Sequence, residues 1–200
     1  MNFYEAADSL SGPILQVHEW IQEAQDGKVA LPHAMNIASL DSAGRPTSRM
    51  VLLKRISQEG FVFFTDYGGN KGKQISAFPH VALTFWWAKT NKQIRIEGKC
   101  SKVSEKENDE YFSSRPRGSQ ISASVSLQSQ ELESYASLTQ KSESFEKEHS
   151  NKTIERPERW GGFIVAPISI EFWIDQKNRL HKRELYSKSG TDWKKALLSP

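Results

Sequence analysis

The chain has 200 residues, of which 37% are hydrophobic and 10% aromatic, and a formal net charge of +3 at pH 7. This length and apolar content predict one soluble, globular domain with a substantial core and exclude a disordered chain. The 27 basic and 24 acidic residues are largely interspersed along the sequence. That pattern argues against a nucleic-acid partner, whereas a mildly basic protein is compatible with a phosphorylated ligand.

The sequence gives no reason to expect a compartment other than the cytoplasm. Its single cysteine, Cys100, excludes an internal disulfide and a cysteine-based zinc site. The segment MNFYEAADSL carries two acidic residues where a secretory signal has basic and then apolar ones. The longest apolar stretch, residues 81–88, is too short to span a bilayer. We therefore expect a cytoplasmic protein without a membrane partner.

Hydrophobic periodicity predicts one helix and then a run of strands in the first half of the chain. Apolar residues at helical spacing follow Gly12-Pro13 as far as about Gly27. Short turns separate the next segments and predict an antiparallel meander, with strands at 34–40, 48–55 and 60–65 and a short helix at 70–78. Two further strands are expected: one at 81–88, which is almost continuously apolar and so buried on both faces, and one at 93–103, which alternates and so has one polar face.

The second half combines helices with the last strands. Ser104 and Glu107 form a capping box, which predicts a helix to about residue 114 with Tyr111 and Arg115 on one face. Residues 117–130 are rich in serine and glutamine, so we expect no core element there but a segment hydrogen-bonded to another part of the protein. The remaining segments are a charged helix at 131–149, a polar linker at 150–158, the strand-like WGGFIVAP from residue 160 and a last strand at 193–198. About eight strands with peripheral helices predict a mainly β fold of the α+β kind, a closed or split β-barrel.

The segment EFWIDQKNRLHKR, residues 171–183, is typical of a β-hairpin whose return strand begins after a polar turn at 175–178. Alternation on that strand predicts three nitrogen-bearing side chains on one face, namely Arg179, His181 and Arg183. Such a face, with Trp173 beside it, suits the wall of a pocket for an anion or a polar heterocycle. The same pattern suits a solvated basic edge strand, and the hairpin alone does not separate the two interpretations.

Familiar nucleotide, metal and hydrolase motifs are absent from the sequence. Lys71-Gly72-Lys73 resembles part of a P-loop, but Tyr67 stands where that loop needs glycine and Gln74 where it needs serine or threonine. There is no GxGxxG and no GxSxG, and the five histidines lack metal-ligand spacing. We therefore predict no metal site.

Groups that can bind phosphate do occur at separate places in the chain. They are Arg49, Lys54, Lys71, Tyr111, Arg115 and Ser119. Each of them alone is more often a surface residue than a ligand. Arg49 and Lys54 have opposite parity on a regular strand, so both reach one cavity only if the strand is irregular or the ligand spans its end. The pattern makes the chain a candidate for binding a phosphorylated aromatic compound.

Several blocks resemble the pyridoxine (pyridoxamine) 5′-phosphate oxidase family, in the family's order. They are RMVLLK at 49–54, GFVFFT at 60–65, QIRIEG at 93–98, YFSSRPRGSQISA at 111–123, LQSQ at 127–130, WGG at 160–162, and IEFW with RLH at 170–181. The resemblance implies one FMN-binding split-barrel domain over residues 1–200, in which 160–200 complete the site. It also implies a homodimer with two FMN sites at the subunit interface. The first twelve residues carry little pattern and are expected to be flexible.

The resemblance also implies roles for individual residues. The implied FMN contacts are Arg49, Met50, Val51, Leu52, Leu53, Lys54, Phe64, Thr65, Lys71, Gln93, Gln128, Ser129, Trp173 and Arg183. Of these, Gln128 and Ser129 would act from the partner subunit. The implied substrate contacts are Lys54, Tyr111, Arg115 and Ser119 at the phosphate, and Arg179, Leu180 and His181 at the ring. Arg179 and His181 are the implied catalytic residues.

The implied activity is oxidation at the 4′ carbon of pyridoxamine or pyridoxine 5′-phosphate, which yields pyridoxal 5′-phosphate. Oxygen is the acceptor and gives hydrogen peroxide, and the amine substrate also releases ammonia. Two alternatives stay open: an FMN oxidase of another aromatic substrate, as in phenazine biosynthesis, and a flavin-binding protein without turnover.

The chain departs from the family pattern at several positions. Asn70 stands beside Lys71 where many members have a basic residue, Phe64 replaces a tyrosine, and Lys182 replaces an acidic residue. A basic, tyrosine-containing arm that many members carry before the first helix has no counterpart in this sequence. We expect weaker FMN binding from the first departure and altered closure over the substrate from the last.

Overall fold

The computed structural model describes residues 7–200, which form five α-helices and nine strands. The helices are α1 (Gly12–Asp26), α2 (Asn70–Ala77), α3 (Glu105–Ser114), α4 (Arg117–Val125) and α5 (Tyr135–Glu148). The strands are β1 (Ala34–Leu40), β2 (Pro46–Leu52), β3 (Arg55–Ser57), β4 (Gly60–Asp66), β5 (His80–Trp87), β6 (Lys92–Lys102), β7 (Trp160–Ile174), β8 (Lys182–Ser189) and β9 (Asp192–Leu198). Short 3-10 helices lie at Ala7–Ser9 and Lys177–Arg179. None of the helices between residues 7 and 200 is long and apolar enough to cross a bilayer.

All the described strands belong to one antiparallel sheet, ordered β2-β1-β5-β6-β7-β4-β3, with β8 and β9 continuing from β7. The long strand β7 holds the sheet together, because its first half pairs with β4 and its second half with β8, while β6 pairs along both. The β6–β7 register shifts between Glu97 and Gly98, and a side chain at Gly98 would meet the carbonyl oxygen of Ala166 at 2.5 Å. Such irregularities bend strands, and the sheet curls into a half-barrel. The expected mainly β, split-barrel fold is confirmed.

Helix α1 covers one side of the main core, as its periodicity predicts. Ile14, Val17 and Ile21 are buried, and Trp20 meets Phe172 of β7 edge-on with ring centroids 4.9 Å apart. Pro13 lies in the first turn, where a missing N–H costs no helical hydrogen bond. The apolar stripe of α1 thus closes the hydrophobic side of the sheet.

The capping box that predicts α3 is present, because the Ser104 hydroxyl accepts a hydrogen bond from the Glu107 backbone N–H at 3.1 Å. Helix α3 packs with α4 and β7 around a second, smaller core made of Tyr111, Phe112, Ile121, Ile154 and Trp160. This second core lies beside the candidate site described below. Of the twelve residues expected to be flexible, 1–6 lie outside the described residues, and Leu10 is buried.

Three strand expectations are wrong. Strands β1 and β2 pair, as do β3 and β4, but β2 and β4 lie far apart in the sheet order, so the three segments form no continuous meander. Strand β5 is buried on one face only, since Phe85 and Trp87 are buried while Trp86 is 52% exposed. The return strand of the hairpin begins at Lys182, not at Arg179.

The serine-rich segment 117–130 also differs from expectation, because its first part is the helix α4. One apolar residue, Ile121, is buried in the second core and anchors the helix. The expected hydrogen bonds to another part of the protein are present, since Gln128 bonds to Thr65 and Ser129 to Asn70.

Candidate active site

A cavity of about 490 Å³ opens between strands β2 and β4 and helices α3 and α4. It gathers most of the residues that the resemblance assigns to FMN and to the substrate phosphate. They are Met50, Val51, Leu52, Lys54, Phe64, Thr65, Lys71, Tyr111, Arg115, Ser119 and Gln128. Segments that are far apart in the sequence therefore converge on one concave surface.

One part of the cavity carries a pair of cations, Lys54 and Arg115. Burial lowers the pKa of Lys54, and the positive charge of Arg115 lowers it further. Burial also lowers the pKa of Arg115, and its Nη1 atom is buried without a hydrogen-bond partner among residues 7–200. A buried donor without a partner is costly, and an anion bound beside this guanidinium would satisfy it.

Backbone geometry explains how Lys54 reaches the cavity. Strand β2 ends at Leu52, and the next two residues leave the strand before β3 begins. The Leu53 N–H donates to the His33 carbonyl at 2.9 Å, and the Lys54 N–H donates to the Val62 carbonyl at 2.8 Å. The parity conflict between Arg49 and Lys54 is resolved by this break in the strand. Leu53 itself packs fully in the core and does not line the cavity.

Lys71 marks another part of the cavity. It lies in the first turn of α2, and its Nζ donates to Thr65 Oγ1 at 2.8 Å and to Gln128 Oε1. Burial lowers the pKa of Lys71, nearby Arg49 lowers it further, and Asp66 acts in the opposite direction. The ammonium is therefore partly desolvated and held by neutral oxygens, which suits a second anion position.

Gln128 and Ser129 lie next to α2 of their own chain. Gln128 Oε1 accepts from Thr65 Oγ1 at 3.2 Å, and Ser129 Oγ accepts from the Asn70 backbone N–H at 3.2 Å. Within one chain the segment after α4 therefore folds back onto α2, and the expectation that both residues act from the partner subunit stays a prediction. Asn70 contributes its backbone N–H to this contact, and that N–H does not depend on the side chain that differs from the family pattern.

Arg49 lies behind the cavity surface rather than on it. Its Nη1 donates to Ser39 Oγ at 2.7 Å, and its Nη2 donates to Thr47 Oγ1 at 2.8 Å and to Gln74 Oε1 at 2.9 Å. Burial lowers the pKa of Arg49. Sequence reasoning missed the three polar partners, because they come from β1, β2 and α2 and show no shared spacing.

Aromatic rings stack along one wall. Phe64 lies over Tyr111 with ring centroids 3.9 Å apart at 17°, and it also stacks with Trp160 at 5.4 Å. The guanidinium of Arg115 lies over the Trp160 ring, 4.5 Å from its centroid. Trp160 was not among the predicted site residues, although it belongs to the WGG block that the resemblance rests on. The next residue of that block is glycine because a side chain at Gly161 would meet the Tyr67 hydroxyl at 2.2 Å.

Arg159 fixes helix α4 against the cavity and was also missed. Its Nε lies 3.1 Å from Asp66 Oδ2, and its Nη2 donates to the carbonyls of Ala123, Ser124 and Ser126 at 2.8–3.0 Å. A cation at the carboxyl end of a helix satisfies carbonyls that have no partner within the helix. This contact places Ser119 and the rest of α4 beside Arg115.

The hairpin residues do not meet this cavity within one chain. Trp173 lies opposite Gln93 on β6 and opposite Arg183 on β8, and its ring contacts His181 at 4.6 Å. Thr65 pairs with Gly161, twelve residues before Trp173 on the same strand, which is roughly 40 Å of strand contour. The predicted site residues thus form two groups, which we call the cavity group and the hairpin group. The hairpin group consists of Gln93, Trp173, Arg179, Leu180, His181 and Arg183.

The shared face predicted for Arg179, His181 and Arg183 is not formed. Arg179 lies in the 3-10 helix with φ = 61°, exposed to solvent, so strand alternation does not reach it. The His181 Nδ1 atom lies 3.0 Å from Asp175 Oδ1, and Arg183 donates to Glu171 Oε1 at 2.7 Å. Lys182 points outward and pairs with Glu184 at 2.9 Å.

A curled antiparallel half-barrel with a cation-lined cavity between strands and helices defines a split-barrel protein suited to phosphorylated ligands. Two family models match the chain. The model described as pyridoxamine 5′-phosphate oxidase matches residues 21–148, and the model described as pyridoxine 5′-phosphate oxidase C-terminal dimerisation region matches residues 160–200. The chain belongs to the pyridoxine/pyridoxamine 5′-phosphate oxidase family.

Similar proteins agree with that assignment. The chain is 43% identical to a pyridoxine/pyridoxamine 5′-phosphate oxidase of Rubrobacter xylanophilus, over 94% of this chain and 87% of the relative. It is 44% identical to that of Haemophilus influenzae, over 96% and 91%. The solved structure of PhzG from Burkholderia lata 383, in complex with tetrahydrophenazine-1-carboxylic acid, has a TM-score of 0.90 and 30% identity over 96% of this chain and 95% of that one.

Proposed function

We propose that this chain is an FMN-dependent oxidase that converts pyridoxamine or pyridoxine 5′-phosphate to pyridoxal 5′-phosphate. The observation that carries the proposal is the presence of two cationic positions in one cavity. Burial and the charge of Arg115 lower the pKa of Lys54, and burial and the charge of Arg49 lower the pKa of Lys71. A reaction between a phosphorylated cofactor and a phosphorylated substrate requires two such positions.

The Lys71 position fits the phosphate of FMN. Lys71 and Arg49 supply the positive charge, and Thr65 and Gln128 supply neutral polar groups that already hold the ammonium in place. Cations that are buried beside neutral partners are available to a phosphate. When bound, FMN supplies the electron acceptor that takes a hydride equivalent from the substrate and passes electrons to oxygen.

The Lys54 position fits the phosphate of the vitamin. Arg115 offers a buried Nη1 without a partner in the described chain, and Ser119 and Tyr111 line the same cavity. A guanidinium held over Trp160 is fixed in direction, which favours one orientation of the phosphate. The chain's contribution on this side is to position the substrate, so that its 4′ carbon faces the cofactor.

The hairpin group supports a homodimer with composite sites. The C-terminal region that carries Trp173 and His181 matches the family's dimerisation region. Since the hairpin group and the cavity group lie apart within one chain, two copies related by a twofold axis would each complete the cavity of the other. In that arrangement Arg179 and His181 face the substrate ring, and Arg179 is the residue that orients it.

The balanced reactions define the assay. Pyridoxamine 5′-phosphate, O2 and water give pyridoxal 5′-phosphate, ammonia and H2O2, and pyridoxine 5′-phosphate with O2 gives the same aldehyde and H2O2. The purified protein is loaded with FMN and mixed with either substrate in air, and aldehyde and peroxide are followed together. Equal amounts of both products support the proposal. FMN binding without either product contradicts it.

A second candidate is oxidation of a phenazine precursor, favoured by the similarity to PhzG. Arg115 and Lys54 argue for the vitamin substrate, because two desolvated cations are matched by a phosphate better than by a single ring carboxylate. The same assay run with tetrahydrophenazine-1-carboxylic acid separates the two. Faster turnover of that compound than of pyridoxamine 5′-phosphate would favour the second candidate.

A further inference from the structure

The hydrogen bonds around Arg49 converge on one acceptor, Gln74. Its Oε1 accepts from Arg49 Nη2 at 2.9 Å, from Ser39 Oγ at 2.8 Å and from Thr47 Oγ1 at 2.9 Å. Ser39 and Thr47 in turn accept from the two Nη atoms of Arg49. Each hydroxyl therefore relays a hydrogen bond from the guanidinium to the same amide oxygen.

This arrangement fixes the guanidinium in its plane. Two hydroxyls from neighbouring strands and one amide from α2 hold both Nη atoms of Arg49, and Ser39 is buried. A hydroxyl that accepts from arginine must donate elsewhere. Gln74 Oε1 is the acceptor for the Ser39 hydroxyl, and for Thr47 it is the nearer of two acceptors, since Thr47 also donates to the Ser39 carbonyl at 3.3 Å. Gln74 is thus the acceptor that Arg49, Ser39 and Thr47 share.

Helix α2 couples this network to the second cation. Lys71 and Gln74 are three residues apart and so lie on neighbouring positions of one helix face. Lys71 reaches Thr65 and Gln128 in the cavity, while Gln74 reaches Arg49 behind it. One short helix therefore sets the relative position of both cations.

We propose that Gln74 is a positioning residue for phosphate recognition in the cofactor site. It holds Arg49 in register with Lys71, and the two together select a flavin that carries a phosphate over one that does not. The inference rests on the proposed function, since it takes FMN as the ligand of this cavity. Gln74 itself need not touch the ligand.

The test compares Q74M with Q74E. Methionine keeps the length of the side chain but removes the acceptor, whereas glutamate keeps it. Dissociation constants for FMN and for riboflavin are measured by quenching of flavin fluorescence, and melting temperatures confirm that each variant is folded. We expect Q74M to bind FMN about tenfold more weakly and riboflavin within about twofold of the wild type, because a guanidinium that is no longer held beside Lys71 attracts the phosphate less and leaves the binding of the flavin ring unchanged. Q74E should retain FMN binding within about threefold, because it still accepts from Arg49.

A double-variant cycle identifies the route of the effect. In R49A the network has no guanidinium to hold, so adding Q74M should weaken FMN binding by no more than about twofold further. Equal losses for FMN and riboflavin in Q74M, or a full additional loss in the R49A background, would overturn the inference. Failure of the wild type to bind FMN would overturn the proposed function instead, so the two failures are distinguishable.

Discussion

Arg115 gives the sharpest test of how the cavity is built, because substitution should affect binding and stability differently. R115M removes a guanidinium that lies 4.5 Å from the Trp160 ring and whose Nη1 has no protein partner in the described chain. Loss of the contact with the ring costs about 0.5–2 kcal/mol. Release of the unsatisfied buried donor returns about 1–3 kcal/mol. The free energy of unfolding of the ligand-free protein should therefore lie between about 1 kcal/mol below and about 2.5 kcal/mol above that of the wild type.

Substrate recognition should suffer much more. A charged hydrogen bond to phosphate is worth about 1.5–3 kcal/mol, which corresponds to a loss of about 10- to 100-fold in kcat/KM for pyridoxamine 5′-phosphate. The assay measures aldehyde formation by FMN-loaded enzyme, with melting of the ligand-free protein recorded on the same samples. A variant that keeps wild-type kcat/KM would refute the assignment of Arg115 to the phosphate.

Arg117 provides the matched control. It is an arginine two residues away, but it donates to Glu146 Oε1 at 2.8 Å and to the carbonyls of Lys152 and His149, outside the cavity. R117M should lower the free energy of unfolding by about 1–3 kcal/mol, because several satisfied hydrogen bonds are lost. Its kcat/KM should remain within about threefold of the wild type, since no cavity residue is removed. We thus expect R115M to lose kcat/KM with little loss of stability, and R117M to lose stability with little loss of kcat/KM. A fall in stability without a fall in kcat/KM for R115M would contradict the reasoning.

Three further predictions follow from the same geometry. K71A should weaken FMN binding by about tenfold or more, whereas K73A, exposed on the same helix, should not, as measured by flavin fluorescence; equal effects would place the phosphate elsewhere. R179A should lower turnover by about tenfold or more with FMN still bound at wild-type affinity, and unchanged turnover in a steady-state assay would remove Arg179 from the site. Burial and Arg115 lower the pKa of Lys54 below its ordinary 10.5, so between the lowered value and 10.5 the unfolded chain binds more protons than the folded protein. The free energy of unfolding, followed by denaturant titration from neutral pH to about 10, should therefore rise more steeply in the wild type than in K54M, and identical slopes would contradict this.

Sequence signals that act within one helical turn correctly predicted helices α1 and α3. The capping box at Ser104 and Glu107 and the helical spacing after Pro13 each place a helix within a residue or two, because the stabilising contacts lie within one turn. Helix α4 was missed because its own sequence is a weak helix former. Its stability comes from Ile121 in the second core and from Arg159 at its carboxyl end, and neither contact is visible in the segment itself.

The predicted start of the return strand in the hairpin was wrong for a different reason. Residues Asn178 and Arg179 both have positive φ, at 57° and 61°, in a turn that delays the return strand to Lys182. Asparagine is common in that conformation, but arginine is not, so positive φ at Arg179 was not predictable from its residue type. The resemblance named residues that the fold brings together in one cavity, but it could not show that Gln128 contacts Lys71 of its own chain, since the fold of the chain decides which elements a segment reaches.

The separation of the cavity group from the hairpin group also explains why the proposed phosphate ligands looked like ordinary surface residues in the sequence. Lys54 and Arg115 are desolvated in the folded chain, and among residues 7–200 no salt bridge to a carboxylate marks either of them as part of a structural ion pair. In the proposed function a bound phosphate would offset that cost, and the ring attached to it would meet no group from the hairpin of the same chain. Strand β7 carries Trp160 at one end and Trp173 near the other, so it contributes to the phosphate end of one site and, in the proposed dimer, to the ring end of the second. In that dimer both sites are complete only when β7 is folded and the two subunits are paired. This dependence would explain why the dimerisation region and the candidate catalytic residues occupy the same stretch of chain.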